Sequence, residues 1–383
     1  MTTEESVLYL AYCAMNGETP DKEFVSAINP EEVLRFANRH RIGCCVAMAL
    51  ESAGIRNKET AKAITTAMRR NALFEASLKE VTGKLDEAGI RYVPLKGIIL
   101  KGYYPKPFMR EMTDHDIWVD AARAEDVKEI MEGLGFTTEK FGKRHHDIYH
   151  KKPVLNYEMH TVLFEAKHDP QMYEYYINKT DLSRPEDFYL YTIAHEYKHY
   201  SRNGTGLRSL LDVYLYLKEQ SFDWDYVEKE AEKLGIREFE RINRQLAIAL
   251  FGKGTAANSA MADGAVAKDA VTDRAVENGL VDDDAMAEML SNVLSAGGVY
   301  GTFAHRVNVG IKKSGGKRLR YMLKRFSVPM RSTNPDYKGF AARYPMFYKY
   351  RILLPLLPFY RIYNSMKEGR LSAEWKYIRK NHK

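Results

Sequence analysis

Three short runs hold the residue types that do chemistry. In "TDHDIWVD", Asp114 and Asp116 stand two apart. Alternation along a strand puts them on one face with Trp118, and sends His115, Ile117 and Val119 to the other. Two neighbouring carboxylates repel unless a cation sits between them, so the pair is a natural ligand set for Mg2+ (or Mn2+). In "NYEMH", the same alternation aligns Asn156, Glu158 and His160. If that strand lies beside the first, Glu158 adds a third carboxylate over the same metal. The third run, "HEYKH", puts His195 and His199 one helical turn apart with Glu196 beside the first. That is the zinc and general-base arrangement of many metalloproteases.

A zinc hydrolase needs a third protein ligand. The metzincin continuation would place glycine and histidine where Arg202 and Thr205 stand. Asp212 is an acidic candidate further on, but Arg208 lies four residues before it and shares its helix face. We therefore expect His195 and His199 to pack against Arg208 and Asp212 as a structural polar seam beside the carboxylate cleft, with substrate positioning as the alternative. The zinc hydrolase ranks behind that reading.

The elements around these runs give them context. "IRYVPL" reads as a short apolar strand, and "KGIILKGYY" turns at Gly97 into a helix whose free backbone N–H groups would face an anion. "AEDVKEIMEGLG" is a helix, and "HHDIYHKK" with "VLNYEMHT" form a hairpin through Pro153. Strand, glycine turn, helix, D-x-D strand and third acidic strand are the parts of two-metal nucleotidyl transfer. The hairpin's His145, His146 and His150 are expected to be exposed, and Lys143 and Arg144 to edge the cleft.

Upstream, residues 1–70 read as short amphipathic helices, followed by a helix over 71–88 that ends at Gly89. Downstream, "SRPE" forms a capping box from Ser183 to Glu186 and starts the helix that carries HEYKH. "GLRSLLDVYLYLKEQ" is the next helix, and the run from Asp223 supplies two more, with Trp224 as a core anchor. Residues 253–285, rich in Ala, Gly and Asp, read as a mobile insertion because they can bury little apolar surface. The chain thus divides into an N-terminal helical segment (1–70), an α/β core (71–180), a helical domain carrying the insertion (181–300) and a basic helical tail (301–383).

Composition sets the outer limits. With 383 residues, 45% hydrophobic and 28% charged, the chain has ordinary globular composition and room for two or three domains. No apolar run is long enough to span a membrane, and the acidic start does not read as an export signal. Three cysteines without a C-x-x-C pair fit a reducing cytoplasm. Between Lys317 and Lys383, 17 Lys and Arg face 3 Asp and Glu, so the net +7 of the chain is concentrated in its tail. Such a tail suits an anionic partner, nucleic acid among them, or forms a solvated helical surface.

"YVPLKGIILKGYYPKPFMREMTDHDIWV" resembles the signature of the uncharacterised bacterial nucleotidyltransferase family of polymerase-β-like fold. The matching residues are Lys96, Gly97, Tyr104, Pro105, Arg110, Asp114 and Asp116, and "YEMH" is similar to the family's later acidic strand, with Glu158 and His160. The resemblance extends more weakly to "RHRIGCCVAMAL", to the HEYKH segment and to "ARYPMFYKYRILLPLLPFYRI". It implies an α+β nucleotidyltransferase core flanked by helical segments. It also implies a Mg2+- or Mn2+-dependent transfer of a nucleoside monophosphate from an NTP, ATP foremost, to an acceptor that is not readable. Asp114, Asp116 and Glu158 would be catalytic and hold the metals; Lys96, Gly97 and Arg110 would bind the nucleotide. His160, His195, His199, Arg208 and Asp212 would position the substrate. The chain departs from better-studied relatives of that fold in having Gly97 followed by Ile98 where a Gly-Ser pair is usual, and in a longer interval from Gly97 to Asp114. A relative that binds nucleotide without turnover is the alternative.

Overall fold

Helix starts are written into the chain as caps. Thr2 and Glu5 form a reciprocal capping box at α1 (Thr3–Asn16), Asp21 caps α2 (Lys22–Ala27), and Asn29 followed by Pro30 starts α3 (Pro30–Arg39). With α4 (Gly43–Ser52) these helices bury Val7, Leu10, Val46 and Leu50 completely. The computed structural model describes residues 2–142, 145–202, 204–253 and 283–295, and within 307–381 all but 308–309, 312–313, 332–336, 338–339, 342–343 and 368–369. Two compact units result, Met1–Gly301 and Thr302–Lys383.

The helix expected over 71–88 is longer: α5 runs Lys58–Glu87 from a capping box made by Asn57 and Thr60. No glycine or proline interrupts 58–82, so nothing stops the helix, and residue 70 lies within it. Beyond α5 comes a mixed sheet of five strands: β1 (Tyr92–Pro94), β2 (His115–Val119), β3 (Thr137–Lys140), β4 (His146–Lys151) and β5 (Leu155–His160), in the order β1-β2-β5-β4-β3. β2 runs parallel to β5, and every other pairing is antiparallel. β3 was not foreseen. It is a polar edge strand with alternating half-exposed residues, and it carries no apolar signature to read.

Strand periodicity then assigns the two faces. Ile117 and Val119 of β2 and Tyr157 and Met159 of β5 pack on Phe74, Val81 and Leu85 of α5, and on Val127 and Met131 of α7 (Ala124–Gly133). His115 joins this face, its ring tilted 4.6 Å from that of Phe74. The opposite face therefore receives Asp116, Glu158 and His160. Helices α9 (Pro185–Tyr200), α10 (Leu207–Glu219), α11 (Trp224–Lys233) and α12 (Arg237–Phe251) follow in the same unit, after α6 (Gly97–Leu100) and α8 (Pro170–Tyr176). They share a core with α1, α3 and α4 that includes Trp118, Tyr191, Leu210 and Leu246.

Two local expectations fail for identifiable reasons. Arg184, not Ser183, caps α9 and makes no side-chain cap bond. Glu186 turns away from the box, accepting Arg184 Nε and the Asp223 backbone N–H, each at 2.8 Å. Trp224 is 40% exposed, lying beneath the Arg244 guanidinium 4.3 Å from its ring centre, and does not anchor the core. The insertion read at 253–285 lies almost wholly outside the described residues, as do Lys143 and Arg144.

In the second unit, helices at Arg318–Phe326, Pro345–Lys349, Leu357–Lys367 and Arg370–Asn381 gather around two small apolar clusters. One is centred on Val307, Ile311, Tyr321 and Ile378, the other on Tyr348, Leu354 and Leu357. Among the described residues no helix is long and apolar enough to cross a membrane.

Candidate active site

Register decides whether the acidic strands meet. β2 and β5 pair in parallel with Asp116 directly opposite Glu158, and Trp118 opposite His160. The adjacency on which Glu158's role depends is therefore present. Asp114 falls one residue before β2 and is half-buried on the same cavity, outside the closest cluster. That cavity, of about 330 Å3, is bounded by the sheet face, the start of α6, α9 and α10.

Asp116 lies at the centre of the polar contacts. Its Oδ2 accepts Lys96 Nζ at 2.9 Å and its Oδ1 accepts His160 Nε2 at 2.8 Å. Burial alone would raise its pKa, but Lys96 and His160 outweigh it and hold the carboxyl well below the usual range. The neighbouring acids go the other way. Burial, then the Asp116 charge, raises Asp114, and the same two causes push Glu158 up to about 7. Lys96, Lys198 and Arg208 face the three carboxylates across the cavity, and Lys96 pairs with Asp116 directly.

The donor set fits a divalent cation. Asp116, Glu158 and His160 bring ligand atoms within 4.8 Å of one another, and His145, His146 and His160 do the same. Carboxylate oxygens suit Mg2+ or Mn2+, and the imidazole leans toward Mn2+. His160 keeps its buried Nδ1 without a partner. His145 and His146 are half-buried rather than exposed, because Glu165 holds His145 Nδ1 at 2.6 Å and His145 Nε2 lies 3.0 Å from His146 Nδ1. His150 alone of the three is exposed, against Glu139.

The phosphate turn differs from its expected form. Lys96 takes φ +40°, outside the usual range for a side-chain-bearing residue, and α6 is a single turn. The N–H groups of Ile98 and Ile99 already bond to the carbonyls of Leu95 and Lys96, so those two donors do not point at an anion. Gly97 is required for a different reason, since a Cβ there would lie 2.4 Å from Arg110 Nη1.

Arg110 is likewise committed elsewhere. Its Nε and Nη2 grip Asp212 Oδ1 and Oδ2 at 2.8 and 2.7 Å, and Tyr104 donates its hydroxyl to Asp212 Oδ1 at 2.7 Å. The seam expected between the HEYKH histidines and Arg208 with Asp212 is thus replaced. Asp212 belongs to Arg110, Arg208 donates to the Glu111 carbonyl at 2.6 Å, and His195 Nε2 faces Lys96 Nζ at 3.0 Å. His199 Nε2 lies 3.3 Å from His195 Nε2. Burial, then Lys96, holds His195 neutral, and burial, then Lys198, does the same for His199. No third ligand joins the two among the described residues, and Glu196 Oε1 is tied to Asn243 Nδ2 at 2.9 Å and Thr205 Oγ1 at 3.4 Å. Among the described residues, HEYKH gains no third ligand for zinc.

One residue of that motif was overlooked. Lys198 also lines the cavity, and burial, then the Lys96 charge, lowers its pKa to about 8. Its position three residues after His195, on the helix face of Thr192, His195 and His199, was the available signal.

The model of a family described as uncharacterised nucleotidyltransferase matches residues 26–252, more than half of the chain, and spans every residue of this cavity. No curated protein and no solved structure matches the chain.

Proposed function

The chain belongs to the uncharacterised nucleotidyltransferase family, and from that premise we propose that it transfers a nucleoside monophosphate from an NTP, ATP foremost, to an acceptor. The observation that carries this reading is the register that sets Asp116 opposite Glu158 on the cavity face, with Lys96 2.9 Å from Asp116. On this reading the sheet, with the α5 helix packed on it, is a polymerase-β-like core reaching to residue 180, flanked by helical segments before residue 58 and at 181–300 and 301–383. Asp114, Asp116 and Glu158 would hold Mg2+ or Mn2+, with His160 orienting Asp116. When bound, the cation offsets the charge that develops on the α-phosphate and the departing pyrophosphate.

The side chains supply the remainder. Lys96, Lys198 and Arg208 line the cavity and present positive charge to the triphosphate, a task the closed turn at Ile98 and Ile99 does not perform. Neutral His195 beside Lys96 directs the ammonium toward Asp116 and the nucleotide. Arg110 and Asp212 fix the cavity wall from behind. The three buried, free cysteines suit the reducing cytoplasm. The basic tail offers a surface for an anionic acceptor, nucleic acid included.

The ion pair between Lys96 and Asp116 also suits a module that binds nucleotide without turnover, since a cation must displace the lysine before the carboxylates can act. Incubating the protein with each NTP and Mg2+ or Mn2+ separates the two. Pyrophosphate release with label transfer supports the enzyme, binding without release supports the module, and no binding contradicts both.

A further inference from the structure

A second cavity, of about 410 Å3, shares Arg110 and Met112 with the wall of the first. It lies between the end of α3, the first half of α5 and the segment before Asp114. Arg41, Lys62 and Arg70 line it. None of the three pairs with a carboxylate among the described residues, and Arg70 Nε is buried without a hydrogen-bond partner while its guanidinium rests 5.3 Å over the Phe74 ring. Of the two acids on the same wall, Glu59 is exposed, and Glu111 Oε1 is occupied by the Cys44 backbone N–H at 3.0 Å. Burial, then the neighbouring Arg41, lowers the pKa of Arg70, against the opposing charges of Glu111 and Asp114.

The backbone adds an independent mark. Arg41, just past the His40 cap of α3, takes φ +58°, the left-handed conformation that glycine usually supplies there. Ile42 N–H reaches back to the Ala37 carbonyl at 3.1 Å, as that motif requires. Lys96 is the only other non-glycine residue with positive φ among those described. Both residues are basic, and each lines one of the two adjoining cavities. Such strain, kept where a glycine would fit, points to a need for the side chain.

We propose that this cavity binds a phosphate group of the acceptor through Arg41, Lys62 and Arg70, and holds the acceptor beside the nucleotide. The inference rests on the nucleotidyl-transfer reading above. In-line displacement sets the attacking and leaving oxygens on opposite sides of the phosphorus, so acceptor and triphosphate need separate cationic walls. The first cavity carries its own cations, Lys96, Lys198 and Arg208. Arg110, pinned by Asp212, stands on the boundary between the two.

The test is calorimetric titration of inorganic phosphate into the full chain saturated with Mg2+ and an α,β-methylene NTP analogue. Wild type should bind phosphate, and Arg41→Gly and Arg70→Gln should each weaken it by about tenfold or more, the loss of a charge-assisted bond. Affinity for the analogue should stay within about twofold, because these side chains lie outside its cavity. Arg41→Gly is the sharper variant, since a residue that only ends a helix would tolerate glycine without loss. Lys62→Gln, at an exposed position, should weaken phosphate to a smaller degree. Absence of phosphate binding, or equal binding by all variants, overturns the proposal. Equal losses for phosphate and analogue would assign the cavity to the nucleotide and overturn it too. Phosphate binding at Arg70 in a protein that binds no analogue would contradict the nucleotidyl-transfer reading and the acceptor assignment with it, while leaving an anion site in place.

Discussion

Lys96 Nζ lies 2.9 Å from Asp116 Oδ2, and His160 Nε2 occupies the other oxygen of the same carboxylate at 2.8 Å. Both oxygens are satisfied by the chain itself, so a divalent cation at the proposed site would compete with Lys96 for Asp116.

Lys96→Met should therefore make the protein more dependent on metal. It leaves Asp116 buried beside two other acids, which should cost roughly 3 kcal/mol, the low end for breaking a buried pair because both side chains keep some solvent contact. Urea denaturation with and without Mn2+ checks this. The metal should stabilise the variant more than wild type, and equal stabilisation would show that Lys96 and metal do not compete.

Glu196→Gln tests the opening motif through pH. Burial raises the Glu196 carboxyl to about 7, opposed by its bond from Asn243. Between roughly pH 4.5 and 7 the folded chain holds a proton that the unfolded chain has released, so this group's contribution to stability falls as pH rises across that window. Removing it should stabilise the protein by up to about 2–3 kcal/mol at pH 8 and much less at pH 5, with nucleotide transfer unchanged. Melting temperatures at the two pH values decide it; a gain that does not grow with pH would contradict the buried, protonated carboxyl.

Arg110 and Asp212 form a bidentate pair whose side chains are 6% and 7% exposed. Asp212→Ala or Arg110→Ala alone should lose about 3–5 kcal/mol, because each strands a buried charge. The double replacement Arg110→Met with Asp212→Leu should lose far less. Denaturant midpoints test the pattern, and losses in the singles that add up in the double would rule out a coupled pair.

Much of this was legible in the residues. Alternation in "DHDIWV" and "NYEMH" placed Asp116, Glu158 and His160 on one face, because one face of that sheet must be apolar. Long-range partners were not legible. Nothing in the spacing says that Asp212 meets Arg110 across 102 positions, or that His195 turns to Lys96 across 99. Helix periodicity put His195, His199, Arg208 and Asp212 near one another but could not order their partners, since several equally polar pairings were open. The α6 turn failed because a glycine after a lysine reads as a phosphate loop, whereas here it makes room for the Arg110 guanidinium. β3 and the early start of α5 were missed where polar alternation or an uninterrupted helix gave no boundary.

The most direct test follows label from an α-labelled NTP, with pyrophosphate release, in wild type and in folded Glu158→Gln and Asp116→Asn, with Mg2+ or Mn2+ present. If the register between β2 and β5 builds the transfer site, wild type releases pyrophosphate, and each variant is slower by at least about a hundredfold, the scale on which loss of one charge-stabilising group acts. Wild-type rates in either variant would contradict the account.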